Sequence, residues 1–159
     1  MHLKTHSFRF AEEILNSKLQ LKNEIFSVLN SIPAISARDD RTVLHKQIVE
    51  EFKKKGWTRE ELIAETPLIT RMKFDLFKEK VAIEVEASHI VHCYKDFLKF
   101  LVGFNDERIE VGALVVYADD YAKSLGGESL PTFGKVCREL ETLFRSVIPV
   151  PILVIGLES

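Results

Sequence analysis

Three acids sit at a spacing that can do chemistry. In RMKFDLFKEKVAIEVEAS, residues 71–88, Asp75 is followed after eight intervening residues by Glu84, and Glu86 stands two further on. Apolar and polar residues alternate through 72–77 and 81–87, the period of a strand, so the segment reads as an antiparallel hairpin. With the turn at Glu79–Lys80, Asp75 faces Glu84 and Lys73 faces Glu86, and the Cβ atoms of opposed residues stand about 4.5–5.5 Å apart. The same register puts Phe74, Leu76, Ile83 and Val85 on the other face, where all four can enter a core. Opposed like charges destabilise a sheet, so converging acids need a reason. A hard divalent cation such as Mg²⁺, which takes carboxylate oxygens and substrate phosphate oxygens, supplies one. Such a site holds a phosphodiester, polarises its phosphoryl oxygen and lowers the pKa of a bound water. The competing reading is a solvent-facing hairpin whose acids are balanced by Lys73, Lys78 and Lys80.

The elements that must position these acids are legible in outline. Residues 10–31 carry Ile14, Leu15, Leu19, Ile25, Phe26 and Leu29 at helical spacing, ended by Pro33. Asp39 and Asp40 can cap a second helix that carries Val43, Leu44, Ile48, Val49 and Phe52 and stops at Gly56. Its basic run, 53–55, lies where cations complement the helix dipole. After the hairpin, Ile90, Val91, Tyr94, Phe97, Leu98, Leu101 and Val102 form the apolar stripe of a third helix. VGALVVY, 111–117, is a continuous apolar run suited to a strand buried on both faces. Residues 131–148 read as a helix with Pro131 in its first turn and Phe133, Val136, Leu140, Leu143, Phe144 and Val147 inward. PILVIG, 151–156, closes the chain as a last buried strand. The order is helix, helix, hairpin, helix, strand, helix, strand, which predicts an α/β sandwich: a central mixed sheet with helices on both faces. No linker or repeat interrupts it, so one domain is expected over 1–159, with N-terminal helices in 1–66 and the hairpin and core in 67–159.

On these residues the chain resembles a known family. FDLFKEKVAIEVEAS looks like the Asp…Glu-x-Lys/Glu core of PD-(D/E)xK nucleases. SHIVHCYKDFLKF, IEVGALVVYADDYAKSL and VPVPILVIGLES then follow in the order found in restriction endonucleases of the BglII type. SFRFAEEIL, EIFSVLNSI and IVEEFKKKGW look like that family's opening helices. The resemblance implies a restriction-endonuclease-like fold and a Mg²⁺-dependent type II restriction-like endonuclease, with Mn²⁺ as a substitute ion, that hydrolyses DNA phosphodiester bonds by metal-activated water. It implies that Asp75, Glu84 and the carbonyl of Val85 ligate the metal, and that Asp75, Glu84 and Glu86 are the catalytic residues. Glu86 stands where most such enzymes carry a lysine, the BglII type a glutamine and BamHI-like enzymes a glutamate. Glutamate offers no positive charge to the transition-state phosphate; it either accepts a proton from the attacking water or binds a second metal ion. Double-stranded DNA as substrate and a homodimer are further implications, since each active site cuts one strand and two-fold pairing suits a duplex. Two other readings stay open: a structure-selective nuclease of the junction-resolvase kind, and a non-catalytic DNA- or protein-binding domain of the same fold. A methyltransferase partner and the recognition site are not legible in the sequence.

Other features carry less. A fourth acid in this fold often comes from the preceding helix, and Glu50, Glu51, Glu60 and Glu61 are candidates, although a solvated helix face explains them as well. His89 and His92 lack the further ligands that zinc needs, and His89 suits a helix cap or a DNA contact. Lys95 and Lys99, one turn apart, fit either phosphate contacts or an ordinary solvated face. Neither a phosphate-loop pattern nor a nucleophile-elbow serine is present.

Composition sets the remaining bounds. A chain of 159 residues with 46% hydrophobic and 29% charged residues is globular, and its net charge of −2 excludes a polycation that coats nucleic acid by bulk charge. Asp75, Glu84 and Glu86 exceed that −2 by themselves, so the rest of the chain is net positive. Cys93 and Cys137 do not form a scaffold and read as free thiols in a reducing compartment. With no secretory h-region and no apolar run near the ~20 residues of a membrane helix, a soluble cytoplasmic protein is expected. The resemblance occupies nearly the whole chain and leaves little for a recognition subdomain, so modest or unusual sequence specificity is expected.

Overall fold

A computed structural model describes residues 1–36, 41–58, 62–64 and 72–159. Its centre is a five-stranded sheet of β1 (His2–Phe8), β4 (Leu76–Lys78), β5 (Val81–Val85), β6 (Val111–Tyr117) and β7 (Ile152–Glu158). Their order across the sheet is β1-β7-β6-β5-β4. β5, β6 and β7 run parallel, while β4 and β1 pair antiparallel at the two edges. Two short strands, β2 (Leu62–Ala64) and β3 (Met72–Lys73), form a separate antiparallel pair. The expected mixed sheet with helices on both faces is observed. No helix among the described residues is long and apolar enough to cross a membrane.

The apolar runs of β6 and β7 divide by residue parity. Val111, Ala113, Val115, Leu153 and Ile155 join one core with Ile83 and Val85. That core is closed by α1 (Ala11–Ser17), α2 (Leu19–Ser31), α3 (Arg41–Lys54) and α5 (Asp119–Ser124). Leu114, Val116, Ile152 and Val154 join a second core under α4 (Ile90–Asn105) and α6 (Phe133–Thr142). Side chains on alternate sides of a strand face opposite layers, so a run with no polar residue must be covered twice. Gly112 lets the second layer approach closely: a Cβ there would lie 2.8 Å from the Phe100 ring. At the end of α3, Gly56 takes φ +81°, the left-handed conformation that stops a helix, as the sequence predicts.

The hairpin keeps its expected register and is shorter than expected. Leu76 pairs with Ile83 and Lys78 with Val81 across a two-residue turn. Glu79 and Lys80 hold φ of 48° and 65°, the left-handed pair that such turns need to match strand twist. The ladder stops at Leu76 because the chain bends at Asp75, and Lys73 pairs with Leu62 in the small sheet instead of facing Glu86. The bend also sends Phe74 into the core under α4, away from Leu76, Ile83 and Val85.

Other expectations are corrected. HLKTHSF, which shows no apolar alternation and to which the sequence pattern assigns no element, is an edge strand set by its pairing with β7. The opening helix is broken at Lys18 into α1 and α2. Asp119–Ser124, between the expected strand at 111–117 and the expected helix at 131–148, is the helix α5. Pro131 precedes the α6 cap, Thr132, and Leu143 and Val147 lie beyond α6 and are exposed. On α4 the inward residues are Cys93, Asp96, Phe97, Lys99, Phe100 and Gly103, while Val91, Tyr94 and Leu98 face out. The helix is turned from its expected orientation because Phe100 packs over Gly112 and Lys99 meets an acid of β5. Asp39 and Asp40, the expected cap of α3, lie outside the described residues.

Placing Asn and Gly at positions 79 and 80 removes the cost of holding two ordinary L-residues left-handed. The double variant Glu79→Asn/Lys80→Gly is expected to gain about 1 kcal/mol in a urea melt. A lowered midpoint contradicts the turn assignment.

Candidate active site

Glu84 points from β5 toward α4, the face it shares with Ala82, and only 1% of the residue is exposed. Taking a carboxylate out of water costs several kcal/mol unless a partner meets it. Lys99 is that partner: its ammonium donates to Glu84 Oε2 at 2.6 Å and lies 3.0 Å from Asp96 Oδ1, one turn earlier on α4. The other oxygen, Glu84 Oε1, is buried with no hydrogen-bond partner among the described residues. An orphaned carboxylate oxygen beside other acids is the donor that a hard cation takes.

Asp75, at the bend before β4, is partly buried. Its Oδ2 accepts from the Val85 N–H at 3.0 Å and lies 3.1 Å from His45 Nε2 of α3. The backbone bond ties the bend to the end of β5, so Asp75, just before β4, and Glu84, on β5, sit at one end of the sheet. Glu86 follows β5, and its N–H donates to Val115 O at 3.0 Å. Its Oε1 accepts from Ser88 N at 2.7 Å and Ser88 Oγ at 2.6 Å, and its Oε2 lies 3.6 Å from His92 Nδ1. All three acids line one cavity of about 390 Å³, with Asp96 and Lys99 on one side, Thr42, His45 and Lys46 of α3 on another, and His92 and Lys95 at its rim. The cavity opens at the carboxyl end of β5, where open α/β sheets bind ligands.

The electrostatics follow from burial and pairing. Burial raises the pKa of Glu84 well above that of a free glutamate, helped by the charges of Asp96 and Asp75, while Lys99 pulls the other way. Asp96 is pushed up to about 6, mainly by burial and against the pull of Lys99. For Asp75, burial alone would raise the value, but the hydrogen bonds from His45 and Val85 and the charges of His45 and Lys99 outweigh it and lower the pKa. Lys99 is held protonated because Glu84 and Asp96 overcome its burial.

The hairpin acids therefore converge on one cavity, but they are not a solvent-facing set. Lys78, a cation of the competing reading, is bound to Glu24 and the Lys55 carbonyl, each at 2.8 Å. Lys80 lies toward Glu110. Lys99, expected on an exposed face, is buried, whereas Lys95 stays at the rim. His89 caps α4, its Nδ1 accepting from the Val91 N–H at 3.2 Å. Glu50 and Glu51 pair with Lys53 and Lys54 and do not line the cavity. Glu60 and Glu61 lie outside the described residues. Among the described residues, no three His, Cys, Asp or Glu side chains converge tightly enough to hold an ion alone. Mg²⁺ needs no such cage, since it commonly uses one or two carboxylates and fills its shell with water and phosphate oxygens.

The sequence reading missed Asp96 and His45. Asp96 and Lys99 are an i,i+3 charged pair on the same helix face as Phe100 and Gly103, and such a pair ordinarily marks a solvated helix surface, so it gives no sign of burial. His45 gives no local signal either, because its partner lies thirty residues away.

The family profile described as restriction endonuclease BglII/BglIII matches residues 3–157. Two similar solved structures are the restriction endonuclease BglII complexed with a DNA 16-mer and free BglII, each 20% identical to this chain. The first has a TM-score of 0.85 and aligns with all of this chain and 79% of its own; the second has 0.73, with all of this chain and 80% of its own. No curated protein matches the sequence.

Because the folded pKa of Asp96 lies above its ordinary value of 3.8, the folded state holds this proton more tightly than the unfolded state does. The stability it contributes is present at low pH and lost as pH rises through that window, from about 4 to 6. Urea melts across this range are expected to show wild type losing stability relative to Asp96→Asn. Parallel pH profiles contradict the assignment.

Proposed function

The chain belongs to the restriction endonuclease BglII/BglIII family, making it a type II restriction-like endonuclease that hydrolyses DNA, and from that premise we propose that Asp75, Glu84 and Glu86 are its catalytic acids. Members of the family use a divalent metal; here the ion is Mg²⁺, with Mn²⁺ as a substitute, held by Asp75, Glu84 and the Val85 carbonyl. The observation that carries this reading is the buried, partnerless Oε1 of Glu84 in the cavity it shares with Asp75. When bound, the ion polarises the phosphoryl oxygen and lowers the pKa of a nearby water.

The chain's own residues supply the rest. The Val85 N–H and His45 fix Asp75, and Ser88 fixes Glu86, so neither acid has to be ordered when substrate arrives. Glu86 accepts a proton from the attacking water as its oxygen bonds to phosphorus; the phosphorus–oxygen bond to the departing strand breaks, and that oxygen takes a proton from solvent. Lys46 and Lys95 at the cavity edge suit contacts to the phosphates of double-stranded DNA, which position a duplex without reading its sequence. A cytoplasmic location fits two free thiols, Cys93 and Cys137.

A homodimer completes the reading, since a duplex presents two strands. The exposed apolar residues Val91, Leu98, Leu143 and Val147 lie on α4 and just beyond α6. The Tyr94 and Phe144 rings, 5.5 Å apart, join the two segments into one strip. Lys95 and Lys99 on the same helix line the cavity, so a second copy seated there by two-fold symmetry brings two sites to one duplex.

Purified protein with plasmid DNA and Mg²⁺ is expected to cleave, and chelation by EDTA or Asp75→Ala to abolish it. Glu86→Gln is expected to slow cleavage by about 10²–10⁴-fold, the range for a lost general base. Cleavage by Asp75→Ala at the wild-type rate overturns the site, and cleavage of branched but not linear duplex replaces the restriction reading with a structure-selective one. In sedimentation, wild type is expected to run as a dimer and Leu98→Lys/Val147→Lys as a monomer; a monomeric wild type overturns the two-fold arrangement.

A further inference from the structure

Lys99 has no place in the mechanism derived above, yet it is the most thoroughly enclosed cation of the site. It is 9% exposed, and Asp96, which anchors it, is 5% exposed. The pair crosses from α4 to the central sheet to reach a single oxygen, Glu84 Oε2. A buried ionic cluster of this kind is seldom kept for stability, because apolar side chains of similar volume commonly do as well or better. The cluster is also unbalanced: Glu84, Asp96 and nearby Asp75 bring three carboxylates to one lysine and a histidine. Its arrangement selects between the two oxygens of Glu84, occupying Oε2 and leaving Oε1 without a partner.

We propose that Lys99, anchored by Asp96, is a positioning residue of the metal site: it fixes Glu84 through Oε2 and thereby presents Oε1 to the ion. The inference rests on the reading of Glu84 as a metal ligand. Ligating carboxylates are themselves hydrogen-bonded, and loss of such a supporting partner typically weakens metal affinity by about 10–100-fold. A neutral donor or a backbone N–H can give that support. Here a lysine does it, in a site whose position 86 is a glutamate and brings no positive charge of its own. Lys99 thus places a cation beside the acids without occupying the oxygen the metal needs.

The test is calorimetric titration of Mn²⁺ into the full chain without DNA, beside thermal melts that report folding. Wild type is expected to bind Mn²⁺, Asp75→Ala to lose it, and Lys99→Met to bind about 10–100-fold more weakly while still folded. Lys99→Arg, which keeps the charge and can still reach both acids, is expected to recover most of the affinity. If Lys99→Met does not fold, Asp96→Asn decides: it keeps Lys99 and Glu84 but reduces the anchor from an ion pair to a neutral hydrogen bond, and weaker Mn²⁺ binding is expected. Unchanged binding in the folded Lys99→Met, or in Asp96→Asn when that variant decides, overturns the inference and leaves the metal site standing. Tighter binding also overturns it, because a lysine that merely competes with the metal gives that result. Absence of Mn²⁺ binding in wild type overturns the metal reading itself, and this inference with it.

Discussion

A carboxylate on an inner strand of a sheet, deprived of water on both sides, is the constraint around which this molecule is arranged. Glu84 is at that position, between β4 and β6 in the sheet order. Its burial requires a charged partner from the layer above, and α4 supplies one only by turning Asp96 and Lys99 inward. Phe100 lies on the same inward face and fits over Gly112, so the ion pair and the aromatic contact set the same rotation. The cost of that rotation appears on the other side, where Val91 and Leu98 are left in water.

Seen this way, the two faces of α4 are one choice. A helix that gives its inward positions to a lysine and an aspartate has apolar residues left over, and those form the strip on which we place the second copy. The acids on the opposite side occupy the carboxyl end of β5, held by the Val85 and Glu86 backbones. The hairpin turn, with its two left-handed residues, sets which side chains of β4 and β5 meet. Helix rotation and surface strip both follow from where one carboxylate is put.

How much of this was legible varied with the kind of signal. The parallel strands β6 and β7 were plain, because a continuous apolar run has few other uses. The hairpin register was legible because Leu76 and Ile83 had to share a face. The break at Asp75 was not, since alternation continues through it and only the small β2–β3 sheet claims Met72 and Lys73. β1 carries almost no apolar residues and owes its form to the neighbouring edge of β7. For the site, the three acids were visible as a spacing. Lys99 was visible only as a surface residue, because helical periodicity assigns lysine outward and has no means of seeing a buried acid fifteen residues away.

The central claim is that Asp75 and Glu84 form one cation site, with Glu84 presenting the oxygen that Lys99 leaves free. Anomalous diffraction from crystals soaked in Mn²⁺ tests it most directly. The account predicts an anomalous peak within bonding distance of Glu84 Oε1 and an oxygen of Asp75, with Lys99 still on Oε2. A peak elsewhere in the cavity, or no peak at a Mn²⁺ concentration that supports cleavage, contradicts it.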